Sequence, residues 1–299
     1  MLLAVFMYTA VTAFVVFSLG KARQYARHPL ANRWELYPVP GEPGVSYGGS
    51  YYEEAEWWTR PRQISRAGQY GAVLQEMLFM KSLFVNQRKF WWFSYPMHLG
   101  IYLLGLFTLL LLAGAVTEMF GMPLTASDGV SSHTWAALVY WATAVAGFAG
   151  IFLTTCGSAA LLINRVADGT LRKYTTGAEY FNLFFILAAA VSGLVAWSTD
   201  PGFNYNRGVV AAMLAFAPVR AGLPLTVHLV LFGALLIYIP RTKMSHYIGK
   251  YFAYHKVLWD NEPNLKGSAL ERIVEKNLVN RPRDGWSSPH TKSTETGKS

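Results

Sequence analysis

The chain is poor in sulfur and poor in charge. Of its 299 residues one is cysteine, Cys156, set in an apolar stretch. A single thiol excludes an internal disulfide, a cysteine-ligated iron–sulfur site and the CxxCH attachment of a c-type haem. Any redox group held here must be held by something other than sulfur. Charged residues make up only 14% of the chain and hydrophobic ones 53%, too apolar for an ordinary soluble domain and suited to a membrane protein. There is no glycine-rich nucleotide motif and no internal repeat, and the polar connection 117–131 contains no Lys or Arg.

Five stretches are long and apolar enough to cross a bilayer: about 2–19, 95–116, 132–153, 178–197 and 223–239. The first has a rival reading as a signal peptide, against which stand the missing basic start and the poor cleavage context LGKAR. Ser94 and Pro96 read as the cap and first turn of the second span, the third has room to continue to Ile163, and Pro240 reads as a kink at the end of the fifth. Residues 20–94 form an insertion between the first two spans. Its Pro- and Gly-rich part, WELYPVPGEPGVSYGG, is loop, and the part from about Ser65 to Phe93 is helical, ending in the interfacial aromatic run FWWF. The tail 263–299 has one short amphipathic stretch, LERIVEKNLV, and then a polar end that reads as disordered. The expected fold is therefore an all-α integral membrane domain over 1–262, with the tail as an appendage.

The net charge of +9 is a matter of topology. The connections 20–94, 164–177 and 241–299 carry 10, 3 and 11 Lys or Arg, whereas 199–222 carries two, Arg207 and Arg220. The positive-inside rule puts the basic connections in the cytoplasm, with the N-terminus outside and the C-terminus inside. No nucleic-acid partner is implied.

Of seven histidines, His28 and His290 lie in polar segments. His228 and His246 are 18 residues apart, five turns and roughly 27 Å if one helix continues through both, so both would face the same way. His98, near the cytoplasmic end of the second span, matches His246 in depth. His133, near the outer end of the third, matches His228. Ionisable groups in membrane helices are rare and usually functional. Two histidines facing each other from separate helices suit a haem, whose porphyrin supplies the four equatorial nitrogens, better than a compact zinc site. Two haem irons are thus expected, one between His98 and His246 and one between His133 and His228. Small residues beside the ligands (Gly100, Gly105, Ala136, Ala137, Gly233) would admit a macrocycle or serve ordinary helix packing. Arg241 and Lys243 would pair with haem propionates or serve as flanking charges. His255 reads as surface packing or partner contact.

The five spans, the His228–His246 spacing, His98 opening the second span, and the segment MSHYIGKYFAYHKVLWDNEP resemble the five-helix di-haem cytochrome b family of the respiratory nitrate reductase gamma subunit. Within it the chain is more similar to the membrane cytochromes that partner heterodisulfide-reductase-like iron–sulfur proteins of sulfate and sulfur metabolism. The resemblance covers roughly residues 1–262. It implies two b haems, quinone or menaquinone as substrate, a cytoplasmic iron–sulfur partner subunit, an extracytoplasmic cytochrome c as a further partner, and a place in the inner (cytoplasmic) membrane. It assigns no catalytic residue. Glu118 and Asp128 are carboxylates on the outer connections, there to accept a quinol proton or, more simply, as solvated loop charges. One position departs from the pattern: where the nitrate reductase branch has a second histidine ten residues after the first, this chain has Thr108. Either His133 takes that ligand's place or the outer haem is absent. A haem-free membrane anchor is the alternative from another class. A small transporter is disfavoured by the absence of internal two-fold similarity.

Overall fold

In the computed structural model, residues 1–27, 39–41, 55, 56, 59, 65–126, 129–259, 266, 267 and 269–279 are described. His28, Asp128, His290, most of the Pro- and Gly-rich loop and the polar end of the tail lie outside them. The elements are α1 (Leu2–Arg27), α2 (Arg66–Phe79), α3 (Lys81–Asn86), α4 (Arg88–Met119), a minimal antiparallel pair β1 (Thr125–Ala126) and β2 (Gly129–Val130), α5 (Thr134–Ala167), α6 (Gly169–Tyr174), α7 (Gly177–Thr199), α8 (Asn204–Leu214), α9 (Leu223–Tyr238), α10 (His246–Phe252) and α11 (Ala269–Val279). Five of them, α1, α4, α5, α7 and α9 with its short extension, are long and apolar enough to span a membrane. Their outward faces carry residues such as Val5, Leu109, Val145, Phe184 and Val230, all largely exposed, a surface suited to lipid rather than water.

The long helices follow one another as an arc. Helix α1 packs on α9, α9 on α7, α7 on α5 and α5 on α4, whereas α4 and α9 make no comparably close contact. The α4–α5 seam is the tightest. At Gly100 and Gly157 a Cβ would run into the backbone of the opposite helix, so only glycine permits this approach. A small core of Phe107, Leu111, Ala146, Ile151 and Phe203 closes one end of that seam.

Three local features differ from expectation. Helix α4 begins at Arg88, so Pro96 lies inside it and Ser94 is a buried helical residue rather than a cap. A proline there removes a single backbone donor, and the aromatic run before it extends the helix: Trp91 stacks on Tyr95 with centroids 4.4 Å apart and donates its indole N–H to Phe79 O. The amphipathic helix α8, between the fourth and fifth long helices, adds to the five expected spans. The fifth helix does not run on to His246: α9 ends at Tyr238, 3-10 turns follow at Ile239–Arg241 and Lys243–Ser245, and Thr242 between them is extended. Pro240 breaks the ladder and Thr242 restarts it by accepting Met244 N–H on its hydroxyl. His228 and His246 therefore sit on separate segments, and the straight-helix spacing does not apply.

Candidate functional site

The break after α9 turns the chain so that α10 opens with His246 beside α4. The His98 and His246 rings lie 6.1 Å apart, centroid to centroid, at an interplanar angle of 59°. Each Nδ1 is within hydrogen-bond distance of a backbone carbonyl: His98 to Ser94 O at 2.8 Å and His246 to Lys243 O at 3.2 Å. A carbonyl can only accept, so Nδ1 is the donor in both rings, and in the neutral imidazole that leaves the lone pair on Nε2. That is the arrangement of a metal-ligating imidazole, whose other nitrogen is held by a backbone carbonyl. With N–metal bonds of about 2 Å on each side, two imidazoles on one metal have centroids about 6 Å apart. The pair fits that requirement.

The surroundings fit as well. Among the described residues no group of three or more His, Cys, Asp or Glu converges, so two imidazoles are what the chain offers at this point. A haem needs only two. Gly105, seven residues above His98 and on the same face of α4, has no atom within 4 Å of where a Cβ would stand. Gly105 is exposed, so no described residue covers α4 at that position.

The second expected pair is not brought together. His133 is the exposed N-cap residue of α5, and its ring makes no hydrogen bond or aromatic contact among the described residues. His228 lies half-buried between α9 and α7, with Nδ1 3.2 Å from Ala189 O and 3.1 Å from Ser192 Oγ, and it stacks on Phe232. The ring fits because residue 193 is glycine, whose missing Cβ would stand 3.1 Å from His228 Cε1. His228 therefore presents its ring with the same Nδ1-to-carbonyl contact as the other two, but among the described residues no second imidazole lies beside it. Thr108 bonds back to Leu104 O, as a helical threonine does.

The proposed propionate partners have other partners here. Arg241 lies over the Phe17 ring at 3.8 Å, and Lys243 pairs with Glu179 at 3.4 Å. Gly100 and Gly233 serve helix packing, against α5 and against Phe6 and Ala10 of α1. His255 stacks on Tyr251 at 4.2 Å and lies near Tyr70 and Trp259, an aromatic cluster at the α2 end of the bundle. Glu118, expected as a solvated loop charge, instead accepts from Arg207 Nε at 2.9 Å, and Arg207 is 2% exposed.

Several residues that shape the site carry no sequence signal. Ser192 and Gly193, which seat His228, look like ordinary small helix residues, and Glu118 and Arg207 are 89 residues apart. The described residues form a largely helical architecture with five helices long and apolar enough to cross a membrane and two imidazoles 6.1 Å apart at one end. Compared with protein-family models, curated proteins and solved structures, the chain matches none.

Proposed function

We propose that the chain is a membrane cytochrome b subunit that passes electrons between a quinone pool and a cytoplasmic iron–sulfur partner of the heterodisulfide-reductase type. The observation that carries this reading is the His98–His246 pair, two rings at bis-imidazole separation with each Nδ1 at a backbone carbonyl, which in the neutral imidazole leaves the lone pair on Nε2. His98 and His246 would hold the inner haem, and bound there it supplies one-electron redox chemistry that this chain's side chains lack. The protein's part is to hold the two imidazoles by Ser94 O and Lys243 O, fixing tautomer and ring direction. In the orientation set by the basic connections, the α2 end with His246, Tyr251 and His255 is cytoplasmic and offers the docking face, while α8 lies outside. Of the outer ligands, His228 is the one seated in the helical bundle. His133 belongs to the exposed rim.

The test is haem content. Pyridine-haemochrome quantitation and reduced-minus-oxidised spectra on purified protein should show b haem in the wild type. His98→Ala or His246→Ala should each abolish the inner haem, and His133→Ala should leave the wild-type count unchanged. A haem-free wild type would overturn the reading in favour of a membrane anchor.

A further inference from the structure

The inner pair is not held by its own helices alone. Helix α2 bonds to both elements that carry it, in each case one turn beyond the histidine. On α4, Tyr102 follows His98 by four residues, and its hydroxyl donates to Met77 O of α2. On α10, Lys250 follows His246 by four residues, and its ammonium lies 2.9 Å from Glu76 Oε1 of α2. Residues four apart on a helix stand on the same face. Two adjacent residues of α2, 76 and 77, therefore grip the same faces of α4 and α10 that present the two imidazoles.

The grip is built rather than incidental. Glu76 is only 9% exposed, and its second oxygen is used as well: Oε2 accepts from Ser82 N at 2.7 Å and from Ser82 Oγ at 2.8 Å. Ser82 is the second residue of α3, so one carboxylate satisfies an open amide at the start of α3 while it holds α10. Met80 between α2 and α3 adopts a left-handed backbone (φ 52°), a turn that this carboxylate bridges. Below it, Val73 packs with Tyr254 and Trp259 of the segment that follows α10. Among the described residues no hydrogen bond or ion pair joins α4 to α10 directly. Their own covalent route is more than a hundred residues long, and it includes the broken, 3-10 stretch immediately before His246.

We infer that α2 is a strap whose Glu76, through Lys250, is a positioning residue for His246 and sets its ring against His98. The purpose assigned to the strap, holding haem ligand geometry, rests on the cytochrome reading above. The strap itself is a claim about distance and can be tested without haem.

The experiment has two arms on the full chain in membranes. In the first, Glu76→Gln, Lys250→Met and the conservative Lys250→Arg are compared with wild type by EPR and redox titration. The inner haem's g-anisotropy depends on the angle between its two imidazole planes. Glu76→Gln and Lys250→Met should shift both the largest g-value and the midpoint potential, and Lys250→Arg should retain the wild-type signal. In the second, His98→Cys and His246→Cys are combined in a Cys156→Ala background and joined with a short thiol-reactive cross-linker. The yield should fall severalfold when Glu76→Gln or Lys250→Met is added and recover with Lys250→Arg. Undiminished yield together with an unshifted EPR signal overturns the strap and leaves the cytochrome reading intact. A haem-free wild type overturns the cytochrome reading, and the cross-linking arm then decides the strap alone.

Discussion

Arg207 is the residue on which the α8 end of the bundle turns. Its Nε donates to Glu118 of α4, and its Nη2 donates to Asn204 Oδ1 at 2.6 Å. The side chain runs through a slot left by Gly114, where a Cβ would meet Arg207 Cδ at 2.9 Å. Removing one member of a buried pair strands the other charge, whereas removing both need not. Arg207→Met should therefore lower unfolding stability by about 3 kcal/mol, towards the lower end for such pairs because Glu118 keeps some exposure. Adding Glu118→Gln should recover part of the loss, and a detergent-unfolding double-mutant cycle would measure the coupling. At this scale the histidines were legible and their neighbours were not. An imidazole in an apolar helix stands out because such groups are rare in membrane segments. What each ring faces is set by residues far away in sequence. His98 and His246 are brought to a centroid separation of 6.1 Å, His228 is claimed by Ser192 and Ala189 of α7, and His133 is left at a helix cap.

At the scale of elements, the connection between α9 and α10 and the strap α2 decide the geometry. An unbroken helix would have stacked His228 and His246 on one face. Pro240 could be read from the sequence as a disturbance, but the extended Thr242 and the two 3-10 turns depend on where α10 docks. The docking should be pH-dependent. Burial pushes the Glu76 carboxyl up, but the hydrogen bond from Lys250, those from the Ser82 amide and hydroxyl, and the Lys250 charge together outweigh it and hold it below the usual carboxylate range. A carboxyl depressed in the folded state stabilises it fully above the unfolded value of about 4.3, and that contribution is lost as pH falls through the lower folded value. Protection factors of α2 and α3 amides, corrected for the intrinsic pH dependence of exchange, should therefore be flat above about pH 5 and fall as the pH drops below about 4. In Glu76→Gln the protection should be lower throughout and lack that acid step.

At the scale of the whole molecule, five helices arranged as an arc leave α4 and α9 apart, with the imidazole pair at the end where α10 folds back. The orientation proposed for this arc is testable directly. A reporter active only in the cytoplasm, fused after Ser299, should be active, and one inserted in the 117–131 connection should be silent. The reverse pattern would move the His98–His246 pair to the other membrane face and with it the proposed docking surface.

By itself the sequence determined the number and approximate place of the long apolar helices, because burying a helical backbone in lipid demands some twenty apolar residues in a row and that run is visible in one dimension. It also pointed to His98 and His246 as partners, since both fall near the same end of their spans. Only the tertiary structure decided the rest. Which rings meet, how α2 bonds to both bearing helices, and that Glu118 and Arg207 close into a pair are outcomes of side-chain contacts between segments up to 174 residues apart. Such contacts leave no periodicity in the chain. Their partners are ordinary glycines, serines and single charges until packing brings them within hydrogen-bond reach.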